Sequence, residues 1–173
     1  MKKNSVILLQ GVFKSSIFDL LKKRRMKEIF VLEGRPGLES ARQSCRELLK
    51  RKIKPTLIAD NMAGFLFYKD LVRETWMSYQ TSDKDGALCQ IGGLILGVLG
   101  RRHKVPVYIY PNGQKLQLMG YSKDISYFNG VKVAPNGIKG YVPLAEWVPE
   151  KYITKVYPPT QERIAALAVG LHD

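Results

Sequence analysis

Histidine and cysteine are both scarce in this chain, with two of each among 173 residues. His103 and His172 have no partner at metal-ligand spacing, and Cys45 and Cys89 make neither a zinc pattern nor a disulfide framework. No metal site is therefore expected, a stapled secreted scaffold is excluded, and a reducing cytoplasm is the natural compartment. Long hydrophobic runs are missing too. Ile91 to Leu99, the longest, falls far short of the roughly 20 residues that cross a bilayer. The apolar stretch after Met1-Lys2-Lys3-Asn4-Ser5 is too brief for a secretory signal, so no membrane partner is expected. Neither a Walker loop nor Gly-x-Gly-x-x-Gly occurs, and no cofactor is expected.

Acidic residues are few: 15 Asp and Glu stand against 28 Lys and Arg, for a net charge of +13. Up to Lys54 there are 15 basic and 5 acidic residues, which puts +10 of that excess in the first third. Lys22-Lys23-Arg24-Arg25 with Lys27, Lys50-Arg51-Lys52 with Lys54, and Arg101-Arg102-His103-Lys104 each close a predicted helix. In a parallel βαβ repeat each helix end abuts the start of the next strand, so all three clusters are expected along one sheet edge. Two readings follow. Cations at helix C-termini gain roughly 0.3–1 kcal/mol from the macrodipole and stay solvated. The same edge could instead face RNA, although no motif of interleaved aromatic residues singles that out.

What is present is an alternation of β-rich runs with helical periodicity, the pattern of a mostly parallel sheet covered by helices. Strands are expected at Val6-Leu9, Ile29-Leu32, Pro55-Ala59, Thr75-Ser78 and Val107-Tyr110. Between them, Ile17, Leu20 and Leu21 recur at helical spacing. Leu38, Ala41, Cys45, Leu48 and Leu49 form one apolar face, and Met62, Phe65, Leu66 and Leu71 mark a shorter helix. A further helix is predicted from Ala87 to Arg102. Its glycines, at roughly 1 kcal/mol each relative to Ala, imply close approach by the sheet or by a partner subunit. The chain reads as one domain: an α/β core over 1–111, a divergent insertion over 112–156 with turns at Asn112-Gly113, Asn129-Gly130 and Asn136-Gly137, and a terminal helix within 157–173.

At the C-terminal ends of these strands stand Gln10-Gly11, Glu33-Gly34-Arg35-Pro36-Gly37, Asp60-Asn61 and Tyr79 through Gly86. Small residues and free backbone N–H groups ahead of helices suit an anion, phosphate above all. Arg35 is either an anion contact or the partner of Glu33 or Glu39. Asp83, Lys84 and Asp85 read as a solvated turn or as displaced ligand and catalytic groups. Cys89, placed in a first helical turn, is either a packed thiol or an activated one. Trp147 either packs over a sheet edge or caps the crevice.

Ile29-Phe30-Val31-Leu32-Glu33-Gly34-Arg35-Pro36-Gly37-Leu38-Glu39-Ser40-Ala41-Arg42 resembles the strand–turn–helix of the initiation factor 2B α/β/δ family, which includes methylthioribose-1-phosphate and ribose-1,5-bisphosphate isomerases. Pro55 to Asn61, Gln90-Ile91-Gly92-Gly93, Arg102 to Tyr108 and Tyr157-Pro158-Pro159 resemble later segments of that family. The resemblance implies a three-layer, ribose-phosphate-isomerase-like Rossmann fold, usually paired as dimers. It also implies departures. The family's catalytic Cys falls where this chain reads Leu9-Gln10-Gly11-Val12, and its catalytic Asp where Ser78-Tyr79-Gln80-Thr81 stands. A family Lys that meets substrate phosphate becomes Gln90, a Gln becomes Glu39, and the family's helical N-terminal domain has no counterpart ahead of the first strand.

A Gly and a neutral amide cannot shuttle the proton that aldose–ketose interconversion needs. The expectation is a non-catalytic domain, homodimeric, that binds a phosphorylated sugar or nucleotide through Gln10, Gly11, Arg35, Arg42, Asp60, Gln80, Lys84 and Gln90 in a regulatory or scaffolding role. The alternatives are an active isomerase using Asp83, Asp85 or Cys89, and an RNA- or translation-associated factor using the basic edge.

Overall fold

Strand β1 (Val6–Gln10) is buried along its whole length, as a strand covered on both faces must be. Val6 and Leu8 join one core layer while Ile7 and Leu9 join the other, the alternation that a pleated strand imposes. This is a computed structural model, and it describes residues 2–24 and 28–158. Helix α1 (Ser15–Lys23) buries Ile17, Phe18, Leu20 and Leu21 on the second layer. Strand β2 (Glu28–Leu32) follows, then a π turn (Ser40–Ser44) running into α2 (Cys45–Lys50). The wide turn shifts the helix phase, so Leu48 is buried but Leu49 is exposed, against the single apolar face expected.

Strand β3 (Thr56–Ile58), a 3-10 turn (Asp60–Met62), α3 (Ala63–Tyr68) and β4 (Val72–Asp83) come next. Leu66 and Phe67 of α3 reach the core, and Phe65 faces outward. Beyond β4 the structure corrects the sequence reading. Residues 86–90 form strand β5 (Gly86–Gln90), antiparallel to the end of β4, and the helix starts only at Gly93. The apolar spacing of Leu88, Ile91 and Leu94 mimics a helix, but Gly92 at φ 93° ends that continuity.

Helix α4 (Gly93–His103) and β6 (Val107–Pro111) complete the core repeat. A Cβ at Gly97 would lie 2.9 Å from Tyr152 Cβ, and one at Gly93 would lie 3.2 Å from Val148. The α4 glycines thus let the helix approach the sheet layer. Its other side, with Ile95 and Val98, is exposed, as are Phe65 and Tyr68 of α3.

Residues 112–144 leave the sheet, carrying α5 (Ser122–Ser126) and a small hairpin, β7 (Tyr127–Phe128) and β8 (Val131–Lys132). Asn129 and Gly130, at φ 49° and 79°, make its turn, as the Asn-Gly step predicts. The two ends of the excursion meet: Met119 bridges Pro143, the Gly120 N–H donates to Val142 O, and the Leu144 N–H donates to Leu118 O. Then β9 (Ala145–Pro149) adds antiparallel to β5, with Trp147 opposite Leu88, and β10 (Lys155–Val156) pairs with β6. The helix predicted after Tyr157-Pro158 lies outside the described residues.

The parallel strands run in the order β3-β2-β1-β4-β6-β10. Chain direction across the sheet therefore reverses between β1 and β4, and a crevice opens at their C-terminal ends. Helices α1 and α2 cover one face; α3 and α4 cover the other. No helix of the described residues is long and apolar enough to cross a membrane.

Two members of the basic clusters, Arg24 and Arg51, are held in ion pairs. Arg24 and Pro106 line one depression beside the start of β4 and β6. There Arg24 donates to both carboxylate oxygens of buried Glu74 at 3.2 Å, and Glu74 also accepts from Trp76 Nε1. Arg51 behaves differently: it donates to Asp19 at 2.6 Å, to Glu47 at 2.8 Å and to the Ser15 carbonyl at 2.8 Å. Because the chain into α2 starts over the crevice, its end comes down beside the first turns of α1.

Hydrogen bonds from Lys50, Ser15 and Arg51 lower the Glu47 pKa from 4.5 to about 2. A folded-state value below the unfolded one gives stability that is present above about pH 4.5 and is lost toward pH 2. Solvent screening limits this contribution to about 1 kcal/mol. Glu47→Gln should flatten the fall in urea stability between those pH values, and parallel curves for the two proteins would refute the assignment.

Candidate functional site

The turn after β1 fixes the floor of the crevice. Gly11 sits at φ 100°, and a Cβ there would fall 1.9 Å from Ser78 Oγ, so only glycine fits. Its N–H donates to Ser40 Oγ and its carbonyl accepts from Ser44 Oγ, both at 2.9 Å. Ser40 in turn donates to Gln90 Oε1 at 3.4 Å. Two serines of one π turn thus bind β1 to the β2–α2 connection. Gln10 Oε1 at the end of β1, Ser78 Oγ within β4 and Asn112 Nδ2 just after β6 are buried without a hydrogen-bond partner among the described residues.

The 33–39 turn is held by Asp60. Its carboxylate accepts from the Gly34 N–H at 2.9 Å and from the Arg35 N–H at 2.8 Å. Asp60 is therefore a clamp on the turn rather than a free ligand group. The Arg35–Pro36 bond is cis. The Arg35 guanidinium lies 4.5 Å above the Phe128 ring centroid and forms no ion pair with Glu33 or Glu39. Beside it, the Glu33 pKa is raised, chiefly by burial and then by Asp60, with Arg35 opposing.

A cavity of about 300 Å³ opens between this turn and the loop after β6. Arg35, Glu39 and Gln90 line one wall, Gln114, Lys115 and Gln117 the other, with Val12 and Leu144 between them. The loop is pinned three times. Gln114 Oε1 accepts from Gln43 Nε2 at 2.9 Å, Gln80 Oε1 accepts from the Leu116 N–H at 2.5 Å, and Asn112 Oδ1 accepts from the Gln114 N–H at 3.3 Å.

The predicted residues converge on one end of the sheet without sharing one pocket. Arg35 and Gln90 line the cavity, and Gln80 acts through the loop it holds. Gln10 and Asp60 instead line a larger, more apolar space of about 510 Å³ between α3 and α4, where Gln10 Nε2 donates to Ile91 O. Arg42 is exposed and lines neither space. Lys84 and Asp85 form the exposed turn of the β4–β5 hairpin, with Asp83 Oδ1 accepting from the Asp85 N–H. Cys89 lies in a strand rather than a helical turn; burial, then Glu146, pushes its thiol up to about 12. The N-terminus of α4 already holds an anion, because Glu146 Oε1 accepts from the Gly92 and Leu94 N–H groups at 2.7 and 3.0 Å. Among the described residues, no group of three His, Cys, Asp or Glu side chains is placed to hold a metal ion.

Fold and site together define a Rossmann-like parallel α/β domain with a loop-built cavity at its switch point. A sequence profile of the initiation factor 2 subunit family matches residues 4–157, and the chain belongs to that family. The match runs through residues 112–156, so the likeness reaches the segment whose own pattern is weakest. Methylthioribose-1-phosphate isomerase from Thermus thermophilus is 28% identical over 93% of this chain and 54% of its own length. The same enzyme from Geotalea daltonii is 31% identical over 75% of this chain and 41% of its own. Among solved structures, 5-methylthioribose 1-phosphate isomerase from Pyrococcus horikoshii OT3 matches with a TM-score of 0.78 at 21% identity, over 99% of this chain and 56% of that one. The delta subunit of translation initiation factor eIF-2B from A. fulgidus matches at 0.77 and 18%, over 98% and 57%. The chain spans about half the length of these relatives.

Sequence reasoning missed Lys115, Gln114, Gln117 and Glu146. The first three stand on a loop without periodicity. Glu146 had a signal in hindsight: a carboxylate near an apolar β run can cap the Gly-Gly start of a helix. Two outcomes follow. Asp60→Ala leaves two backbone donors unpaired and should lower urea stability by about 1–3 kcal/mol; an unchanged midpoint would remove the clamp. At pH 8, native Cys89 should take up iodoacetamide only on unfolding. Rapid native labelling would restore it as a nucleophile.

Proposed function

We propose that this chain is a divergent, non-catalytic member of the initiation factor 2 subunit family that binds a phosphorylated sugar or nucleotide in the cavity between Arg35 and Lys115, in a regulatory or scaffolding role. The observation that carries this reading is the make-up of the cavity wall: two cations, one carboxylate and three carboxamides. Such a wall can hold an anion and hydroxyl groups by hydrogen bonds. It offers a single carboxylic acid, Glu39, where interconversion of an aldose and a ketose calls for a paired acid and base. Asp83 and Asp85 stand on an exposed hairpin, and Cys89 is a buried thiol of high pKa.

Sugar-phosphate isomerisation is the second reading. It is favoured by the relatives named as methylthioribose-1-phosphate isomerases, 28% and 31% identical to this chain, and by the Glu39 carboxylate in the cavity. One pair of measurements separates the two. A ligand that binds only the folded chain raises its stability by about 2.7 kcal/mol at a hundredfold excess over Kd, or roughly 5–10 °C in Tm for a domain of this size. Ribose 5-phosphate or a nucleoside monophosphate should produce such a shift. With 5-methylthioribose 1-phosphate, no ketose should form above the uncatalysed rate. Turnover lost in Glu39→Gln would establish the enzyme instead, and no shift with any phosphorylated compound would defeat the binding reading.

A further inference from the structure

Three places beyond the floor of the crevice carry unassigned chemistry. The exposed face of α3 and α4 (Phe65, Tyr68, Ile95, Val98) is apolar, but nothing in the structure indicates what covers it. The depression at Arg24, Arg73 and Glu74 is held by an ion pair of its own. The wall formed by residues 114–117 goes further, because its charge and anchoring are both defined.

The cavity contains three ionic side chains: Arg35 and Lys115, both cationic, and the carboxylate of Glu39. The two cations are not equivalent. Arg35 already has the π face of Phe128 against its guanidinium at 4.5 Å, a contact that partly satisfies the cation. Lys115 is exposed, forms no ion pair among the described residues, and projects from a loop pinned by Gln43, Gln80 and Asn112. It is the more available anion contact and stands on a positioned backbone. The N-terminus of α4 is occupied by Glu146. Glu39 lies over the 35–37 turn, where a Cβ on Gly37 would meet its carboxylate oxygens. A carboxylate there accepts hydrogen bonds from hydroxyl groups and repels a second anionic group.

From this arrangement we infer that the cavity is charge-selective: Lys115 anchors a single phosphoryl group, and Glu39 faces the hydroxylated remainder of the ligand and excludes a second phosphoryl group. This deepens the proposed function and rests on it. Gln80, Gln43 and Asn112 are positioning residues, acting through the loop that carries Lys115.

The test is calorimetric titration of the full chain at one fixed ionic strength, with ribose 5-phosphate and ribulose 1,5-bisphosphate as probes. Wild type should bind the monophosphate at least tenfold more tightly than the bisphosphate. Lys115→Met should weaken the monophosphate at least tenfold, Lys115→Arg should restore most of it, and the exposed Arg102→Met should match wild type. Glu39→Gln should reverse or abolish the preference for one phosphoryl group, with Glu39→Ala as the second variant should the first unfold. Wild-type binding that Lys115→Met leaves intact would overturn the inference while sparing the binding reading. A preference unchanged in both Glu39 variants would do the same for the filter. Failure of wild type to bind either compound would instead defeat the binding reading, and the inference with it.

Discussion

Backbone N–H groups at the mouth of a parallel sheet must find acceptors, and in this domain two carboxylates supply them. Asp60 takes the N–H groups of Gly34 and Arg35, and Glu146 takes those of Gly92 and Leu94. A buried unpaired donor costs about 1–3 kcal/mol, so these bonds decide where the loops sit. They also decide where an incoming anion cannot go. Both of these backbone donor pairs are thus filled from within the chain. The cavity between Arg35 and Lys115 lies beside the turn that Asp60 holds.

The same logic places the serines. Ser40 and Ser44, both buried, satisfy the two backbone groups of Gly11 and draw the start of the second helical layer across the end of β1. Four residues apart, the two serines present both hydroxyls to one residue. Leu49, one helical turn on, is left in solvent.

The core strands were legible in the sequence because burial on both sheet faces demands unbroken apolar runs, and Val6-Leu9 and Ile29-Leu32 have little else. The end of the sheet that gathers the loops followed from that order alone. Residues 84–93 were not legible. Leu88, Ile91 and Leu94 repeat at helical spacing, yet Ala87 and Cys89 are buried by cross-strand pairing with a β9 that lies far downstream in the chain. No local pattern carries such a pairing. Lys115 was hidden for a related reason. A loop residue gains its role from what pins the loop, and Gln43 and Gln80 lie far from it in sequence. Arg35 lines the cavity, but its stacking partner Phe128 sits on a hairpin whose docking no periodicity announces.

The neck at Met119 and Pro143 has a bearing on how this domain can change over evolutionary time. Chain passing Leu118 returns at Leu144 to the same point, closed by backbone bonds. Segments with adjacent ends tolerate replacement and change of length. The stretch from Gly120 to Val142 is thus an exchangeable cassette, whereas Val148 and Tyr152, packed against the glycines of α4, are not. Such a lobe could be traded wholesale without refolding the sheet beneath it.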